Sequence, residues 1–297
     1  MTRAGRIGRN VVLASVFISA GLAAAKILVG LKANSTAVVS DGLESAGDVL
    51  ASGLVLFGLI MAAKPPDAEH PYGHGRLETL SALAVGMILA AMGVLIAVES
   101  AQRALRPHGP PAVFGIWPVA ASIVVKSGLY SVKRHYSSQL GSASLAADAW
   151  NDAMDTLSGA VALAGVAIEA NFGRQFGPAD DIGGCVVGVI IVFLGIQIVR
   201  DTTSQLMDTM PDPSKLDAIR TAALRVPGAL GIEKLYARKT GLQYHVDLHL
   251  EVDPEMTVAA SHEIATTVRS AVRTELPWVA DVLVHVEPHG LDTMRRL

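Results

Sequence analysis

The stretch S-D-G-L-E-S-A-G-D-V-L-A, Ser40 to Ala51, decides how the rest of the chain is read, and A-D-A-W-N-D-A-M-D-T-L-S, Ala147 to Ser158, echoes it. Each copy places an Asp, then Glu or Asn three residues on, then Asp four further. These are Asp41, Glu44 and Asp48 in the first copy and Asp148, Asn151 and Asp155 in the second. On a helix that spacing stacks three side chains on one face over about two turns. Both copies run into apolar segments, Val49 to Ala63 and Ala160 to Ile168. A carboxylate in hydrocarbon costs roughly 2.5–3.5 kcal/mol on insertion scales. Two matched acidic ladders therefore require bound cations, protons or both to offset their charge. Asp41 and Asp148 have a plainer reading as helix N-caps near the interface; Glu44, Asp48, Asn151 and Asp155 lie deeper and do not.

Composition sets the surroundings. Of 297 residues, 51% are hydrophobic and 17% charged, against about 25% charged in a soluble domain. The mean hydropathy is +0.42. This is a membrane protein with room for one small soluble domain. A net charge of -3 without a basic run gives nucleic-acid binding no electrostatic footing. The single cysteine, Cys185, excludes an internal disulfide and thiolate zinc sites. Arg3, Arg6 and Arg9 before Val11–Ala25 imitate a secretory signal, but the apolar stretch continues to Leu31, too long for a signal core.

Six segments have the length of a span, about 20 residues: Val11–Leu31, Thr36–Ala62, Leu80–Glu99, Val113–Tyr130, Leu145–Ile168 and Ile182–Val199. Pro118 falls inside the fourth, where neighbouring helices are expected to satisfy the freed carbonyl. Arg3, Arg6, Arg9, Lys64, Arg76, Lys133, Arg134 and Arg200 fall on one side; Lys32, Arg103, Arg106 and Arg174 fall on the other. This bias places both termini in the cytoplasm, with Asn171–Asp181 as an outer loop.

Beyond Asp208 the pattern becomes that of a soluble domain. Ser214 is read as the cap of a helix with Leu216, Ile219, Ala222, Ala223 and Val226 on its apolar face. Ile232–Arg238 reads as a strand and Lys239-Thr240-Gly241 as a turn. Leu242–Val252 alternates, with Tyr244, Val246, Leu248, Leu250 and Val252 on one face. A helix over Ala259–Leu276 and a strand over Asp281–Glu287, with Val282, Val284 and Val286 inward, complete an αββαβ order on an antiparallel-rich sheet. The fold class is thus an all-α six-helix transmembrane bundle plus a C-terminal α+β domain. The expected boundaries are 1–207, 208–292 and a tail at 293–297.

Three constellations carry candidate chemistry. Glu44, Asp48, Asn151 and Asp155 supply hard oxygen ligands, which suit Mn(II) or Fe(II). Protons competing with metal for those oxygens are the raw mechanism of an antiporter. In the loop Pro65–Glu78, P-P-D-A-E-H-P-Y-G-H-G-R-L-E, two readings stand open. Asp67, His70 and His74 converge on a cation, or a Pro/Gly-shaped turn has histidines that bond backbone. In the soluble domain, His245, Asp247 and His249 share a strand face, His285 and Glu287 share another, and His262 lies on the helix between. Several histidines on neighbouring strands favour a ligand role over solvation. His108 and His289 are read as surface residues.

The six spans, both ladders, the H-P-Y-G-H-G-R-L-E loop and the C-terminal domain together resemble the cation diffusion facilitator family of proton-coupled metal exporters. The resemblance covers about Ile7 to His289, and within the family is nearest the branch holding magnetosome-associated iron transporters. It implies a homodimer in the lipid bilayer, alternating access coupled to protons, and a ferredoxin- or metallochaperone-like cytoplasmic domain. By position it assigns transport to Glu44, Asp48, Asn151 and Asp155, and a loop site to Asp67, His70 and His74. It assigns cytoplasmic sites to Glu233, His249, His262, His285 and Glu287, with His245 and Asp247 added in the magnetosome branch. Arg76 and Asp208 match a charge pair between the two domains. Zinc-type members have His where this chain has Asn151, and His or Asp where it has Glu44; Glu233 replaces a His.

The expectation is a non-enzymatic Mn(II) or Fe(II) exporter of an inner cell membrane or magnetosome membrane, with a Zn(II) exporter as the alternative. An intramembrane metalloenzyme is disfavoured, since His262-Glu263 is followed by Ile264, Ala265 and Thr266 and completes no H-E-x-x-H. A scaffold with vestigial transport fits the intact ladders poorly.

Overall fold

The structure is a computed structural model that describes residues 3–32, 36–104, 116–172 and 178–290. The side chains of 36–44, Asp41 and Glu44 among them, fall outside the described set, as does His108. The chain divides into two compact units, one up to Thr203 and one from Ser204.

The first unit is a bundle of α1 (Arg3–Lys32), α2 (Thr36–Ala62), α3 (Arg76–Ala104), α4 (Ile116–Leu140), α5 (Ala143–Phe172) and α6 (Pro178–Leu206). Among the described residues, four of these are long and apolar enough to cross a membrane: α1, α2, α3 and α6. The expected six-helix bundle is present as six helices, each overlapping one of the expected spans. Helices α4 and α5 both carry charge, Lys126, Lys133 and Arg134 on one and Asp148, Asp152 and Asp155 on the other. The span expected over Val113–Tyr130 in fact runs to Leu140, so Lys133 and Arg134 are helical residues and not loop charges. Pro118 falls in the first turn of α4, where its missing N–H costs little.

Helices α1 and α2 pack on each other, as do α4 and α5, and α2 also meets α5. Helices α3 and α6 approach through glycine: a Cβ on Gly195 would lie 2.5 Å from Ala90 N, and one on Gly188 2.6 Å from Ala97 N. Such seams let helix backbones pack closely where apolar burial from water gives no drive. The turn from α4 to α5 uses Gly141 at φ 63°. Ser142 caps α5, its Oγ accepting from Leu145 N at 3.1 Å. Asp148 is therefore inside α5 and Asp41 inside α2, and neither is the N-cap that the sequence reading allowed.

The second unit holds α7 (Pro213–Leu224), β1 (Gly231–Thr240), β2 (Gln243–Val252), α8 (Val258–Glu275) and β3 (Val279–Pro288). The αββαβ order is as expected. The sheet order is β1-β2-β3, with β1 antiparallel to β2 and β2 parallel to β3 across the α8 crossover; it is mixed and not antiparallel-rich. Val246, Leu248, Leu250 and Val252 alternate into a core shared with Ile219, Ala222, Ala223, Val268 and Val272. Helix α7 starts at Asp212 with Pro at its first position and no side-chain cap, correcting the cap expected at Ser214. Asp208, at φ 59°, takes the left-handed position closing α6; its N–H donates to Gln205 O, and Thr209 N donates to Ser204 O.

Candidate metal centre

Inside the bundle the two ladder helices present Asp48 from α2 and Asn151 and Asp155 from α5. They converge on a residue of a third helix. Lys126 Nζ lies 3.0 Å from Asp48 Oδ2, 2.7 Å from Asp155 Oδ2 and 3.0 Å from Asp152 Oδ1. Asn151 Nδ2 donates to Asp48 Oδ1 at 3.0 Å, which turns its carbonyl oxygen toward any further partner. One turn-and-more along, Lys133 Nζ sits 2.8 Å from Asp148 Oδ2 and 2.6 Å from Asp152 Oδ2. These two are ion pairs by distance whose angles are not those of hydrogen bonds. Ser52 Oγ donates to Asp148 Oδ1 at 2.7 Å. Asp152 thus bridges both lysines, and the charges form one connected string from Asp155 to Ser52.

The register explains the string. Lys126 and Lys133 stand seven apart on α4, and Asp148 and Asp155 seven apart on α5. The helices reverse direction at Gly141, so Lys126 meets Asp155 and Lys133 meets Asp148. Sequence reading missed both lysines as partners of the ladder, and the signal was present: basic residues at heptad spacing, mirrored across a glycine turn. A third lysine, Lys26 of α1, is also buried and donates to Ser45 Oγ at 2.9 Å.

The ladders as expected placed bound cations or protons alone against the buried acids. Within this connected string, four carboxylates (Asp48, Asp148, Asp152, Asp155) face two ammonium groups (Lys126, Lys133). At formal charge this leaves two negative charges, the count one dication would neutralise. Three of the four residues assigned to transport meet here; the Glu44 side chain lies outside the described residues. Asp148 is fully buried and tied to Lys133 and Ser52.

The loop between α2 and α3 brings Asp67, His70 and His74 together. Asp67 Oδ1 accepts from His70 N at 2.7 Å and lies 3.1 Å from His70 Nδ1, while Asp67 Oδ2 is 3.4 Å from His74 Nε2. Gly73 permits the turn at φ 79°. The His70 backbone N–H holds the Asp67 carboxyl below its usual range, so it is an anion ready for a cation. The imidazole and carboxylate donors fit a transition-metal ion such as Zn(II).

In the second unit, His249, His285 and Glu287 form a second group. His249 and His285 are register partners on β2 and β3. His249 Nδ1 is 2.5 Å from Glu287 Oε1, and His285 Nε2 is 3.7 Å from the same oxygen. Glu233 occupies the bulge between Ile232 and Lys234 and comes within 3.9 Å of His249 Nδ1. The other expected ligands do not join this group within the chain. Asp247 reaches Arg238 at 3.4 Å, His262 is exposed on α8, and His245 sits four residues from His249 on β2. Burial, then Arg238, pushes the His245 imidazole down. His289, read as a surface residue, is 2.6 Å from Glu251 Oε2. Arg76 belongs to the first unit and Asp208 to the second.

Fold and site together define a polytopic membrane protein with a buried charge cluster inside its helices and a separate α+β unit. Residues 12–207 match the cation efflux transmembrane domain, and residues 211–289 match the cation efflux protein cytoplasmic domain. The chain belongs to the cation efflux, or cation diffusion facilitator, family of metal transporters. It is similar to metal tolerance protein C1 of Arabidopsis thaliana, 32% identical over 300 residues, which align 96% of this chain with 63% of that protein. Manganese efflux system protein MneP of Bacillus subtilis (strain 168) is 29% identical, covering 96% of this chain and 97% of its own. Magnetosome protein MamB of Paramagnetospirillum magneticum is 27% identical, over 89% and 88% respectively. Among solved structures, a MamM-CTD spanning 215-293 is 37% identical, covers 25% of this chain and 92% of its own, and has a TM-score of 0.24.

Proposed function

We propose that this transporter exports Mn(II) or Fe(II) from the cytoplasm in exchange for protons, binding the ion at Asp48, Asn151 and Asp155 with Glu44 as a further ligand. One observation carries this reading: carboxylates from α2 and α5, Asp48 and Asp155, converge within hydrogen-bond distance of one buried cationic atom, and the Asn151 amide is bonded to the first of them. The donor set is all oxygen, with no imidazole or thiolate among the described side chains, which favours hard divalent ions over Zn(II). The manganese relative, similar over nearly its whole length, supports the same choice. Protons compete with the metal for these carboxylates, since bare anionic charge is costly in low dielectric, and that competition couples the two fluxes.

Both termini are read as cytoplasmic. With Lys133 and Arg134 drawn into α4, the basic residues still favour that side: Arg3, Arg6, Arg9, Lys64, Arg76 and Arg200 against Lys32, Arg103, Arg106 and Arg174. The second unit serves as a dimerisation and metal-sensing domain through His249, His285 and Glu287, and the membrane is an inner cell or magnetosome membrane.

Proteoliposome flux tests the reading. Asp48→Ala and Asp155→Ala are expected to abolish Mn(II) flux and the accompanying proton flux, while Zn(II) competes weakly. Wild-type flux in either variant overturns the site. Strong preference for Zn(II) overturns the choice of metal.

A further inference from the structure

We infer that Lys126 is a tethered stand-in for the transported cation: its ammonium holds the metal site in the empty state, and the incoming ion must displace it. The inference rests on Asp48 and Asp155 being the metal's ligands. Its own support is geometric. Lys126 Nζ sits on one oxygen each of Asp48 and Asp155, at 3.0 and 2.7 Å, which are the oxygens a bound dication would take. Its side chain is 3% exposed, so the ammonium is not a surface charge that happened to fold inward. It also reaches Asp152 Oδ1 at 3.0 Å, and Asp152 is anchored on its far oxygen by Lys133. That gives the ammonium somewhere to go.

When metal arrives, Lys126 gives up Asp48 and Asp155 and keeps Asp152. When metal leaves, it swings back over a few ångströms. Two cations cannot share those two oxygens at bonding distance, because their repulsion in a low dielectric is severe. A built-in competitor weakens equilibrium affinity and speeds release, which is what a transporter needs from a site that must also let go. Lys126 is thus a specificity- and release-setting residue and not a ligand. No bond is made or broken in the exchange; one ion pair is traded for coordination.

Mn(II) binding to the full-length protein in detergent tests this, with His74→Ala and His285→Ala in the background so that the bundle site dominates. Lys126→Gln removes the competitor and is expected to tighten Mn(II) binding about tenfold or more, while lowering maximal flux in proteoliposomes because release slows. Lys126→Arg keeps the charge and is expected to hold affinity near wild type. The double variant Lys126→Gln/Asp152→Asn loses one charge of each sign, protecting the fold, and is expected to bind tighter than wild type as well. If Lys126→Gln or the double variant binds Mn(II) with unchanged or weaker affinity, the ammonium positions the carboxylates and the inference falls. Failure of the underlying site looks different: Asp48→Ala would then bind as well as wild type.

Discussion

Replacing Glu78 offers a measurement of how α5, and with it Asn151 and Asp155, is held in place. Glu78 is fully buried near the start of α3. Its Oε1 accepts from Ser142 Oγ at 2.7 Å, Ser144 N at 2.8 Å and Ser144 Oγ at 2.9 Å. The carboxylate therefore clamps the first turn of α5 from another helix, adding to the cap that Ser142 makes within its own. Hydrogen bonds to a charged group contribute about 1.5–3 kcal/mol and neutral ones about 0.5–1.5. Glu78→Gln keeps the acceptor and the shape, so three bonds each lose about 1 kcal/mol. The favourable placement of an anion at a helix N-terminus, worth about 0.3–2 kcal/mol, goes with them. A loss of about 3–5 kcal/mol follows, and Glu78→Ala costs more because the buried donors are left unpaired. Reversible unfolding in mixed micelles measures the loss, and hydrogen exchange at the Ser144 and Leu145 amides shows where it falls. A Gln variant within about 0.5 kcal/mol of wild type, with unchanged exchange at those amides, would refute the clamp.

Gly195→Ala is expected to cost about 1–3 kcal/mol by prising α6 from α3, since the new Cβ would meet backbone at Ala90. Gly53→Ala, with open space around its Cβ, should lie within about 0.5 kcal/mol of wild type in the same micelle assay. In the soluble unit, Arg269 Nε and Nη2 each donate to Asp281 at 2.8 Å. Burial alone would raise the Asp281 carboxyl, and the Arg269 fork more than offsets it. A depressed folded-state carboxyl contributes stability above its unfolded value and loses it as pH falls through the folded one. Protection factors along β3, with exchange corrected for its intrinsic pH dependence, should therefore fall on acidification through the carboxylate range. Asp281→Asn should flatten that dependence, by less than about 1 kcal/mol for so exposed a pair; an identical pH profile in the variant refutes it.

Patterns that depend on one element at a time were legible in the sequence. Alternation in Tyr244–Val252 and the heptad-like acids in Asp148–Asp155 need no partner to be recognised, and the strand and helix follow. What lay hidden depends on a second element. Lys133 looked like a loop charge because hydropathy falls toward Leu140, yet the helix continues and a buried anion receives it. Glu78 looked like the end of a histidine loop, and its partners Ser142 and Ser144 lie far off in sequence. His245 and Asp247 share a strand with His249, but the residues completing the group come from β3 and from the bulge at Glu233. Spacing along one strand could not select among them.

The repeat itself is less symmetrical than it reads. The first acid of the second copy, Asp148, is held by Lys133 and Ser52, while the last, Asp155, is held only through Lys126 among the ion pairs described. Asp152, outside the repeated pattern, joins the two lysines. The string therefore has a fixed end and an exchangeable end. At the fixed end, the charges of Lys133 and Asp148 are matched within the fold, and removing Lys133 leaves Asp148 buried without a counter-ion, which costs about 3–5 kcal/mol. At the other end, Asp48 and Asp155 share one ammonium, leaving carboxylate capacity unfilled. Charge carried by the chain can make a membrane-buried acid tolerable, but only an incomplete match leaves room for an ion that comes and goes.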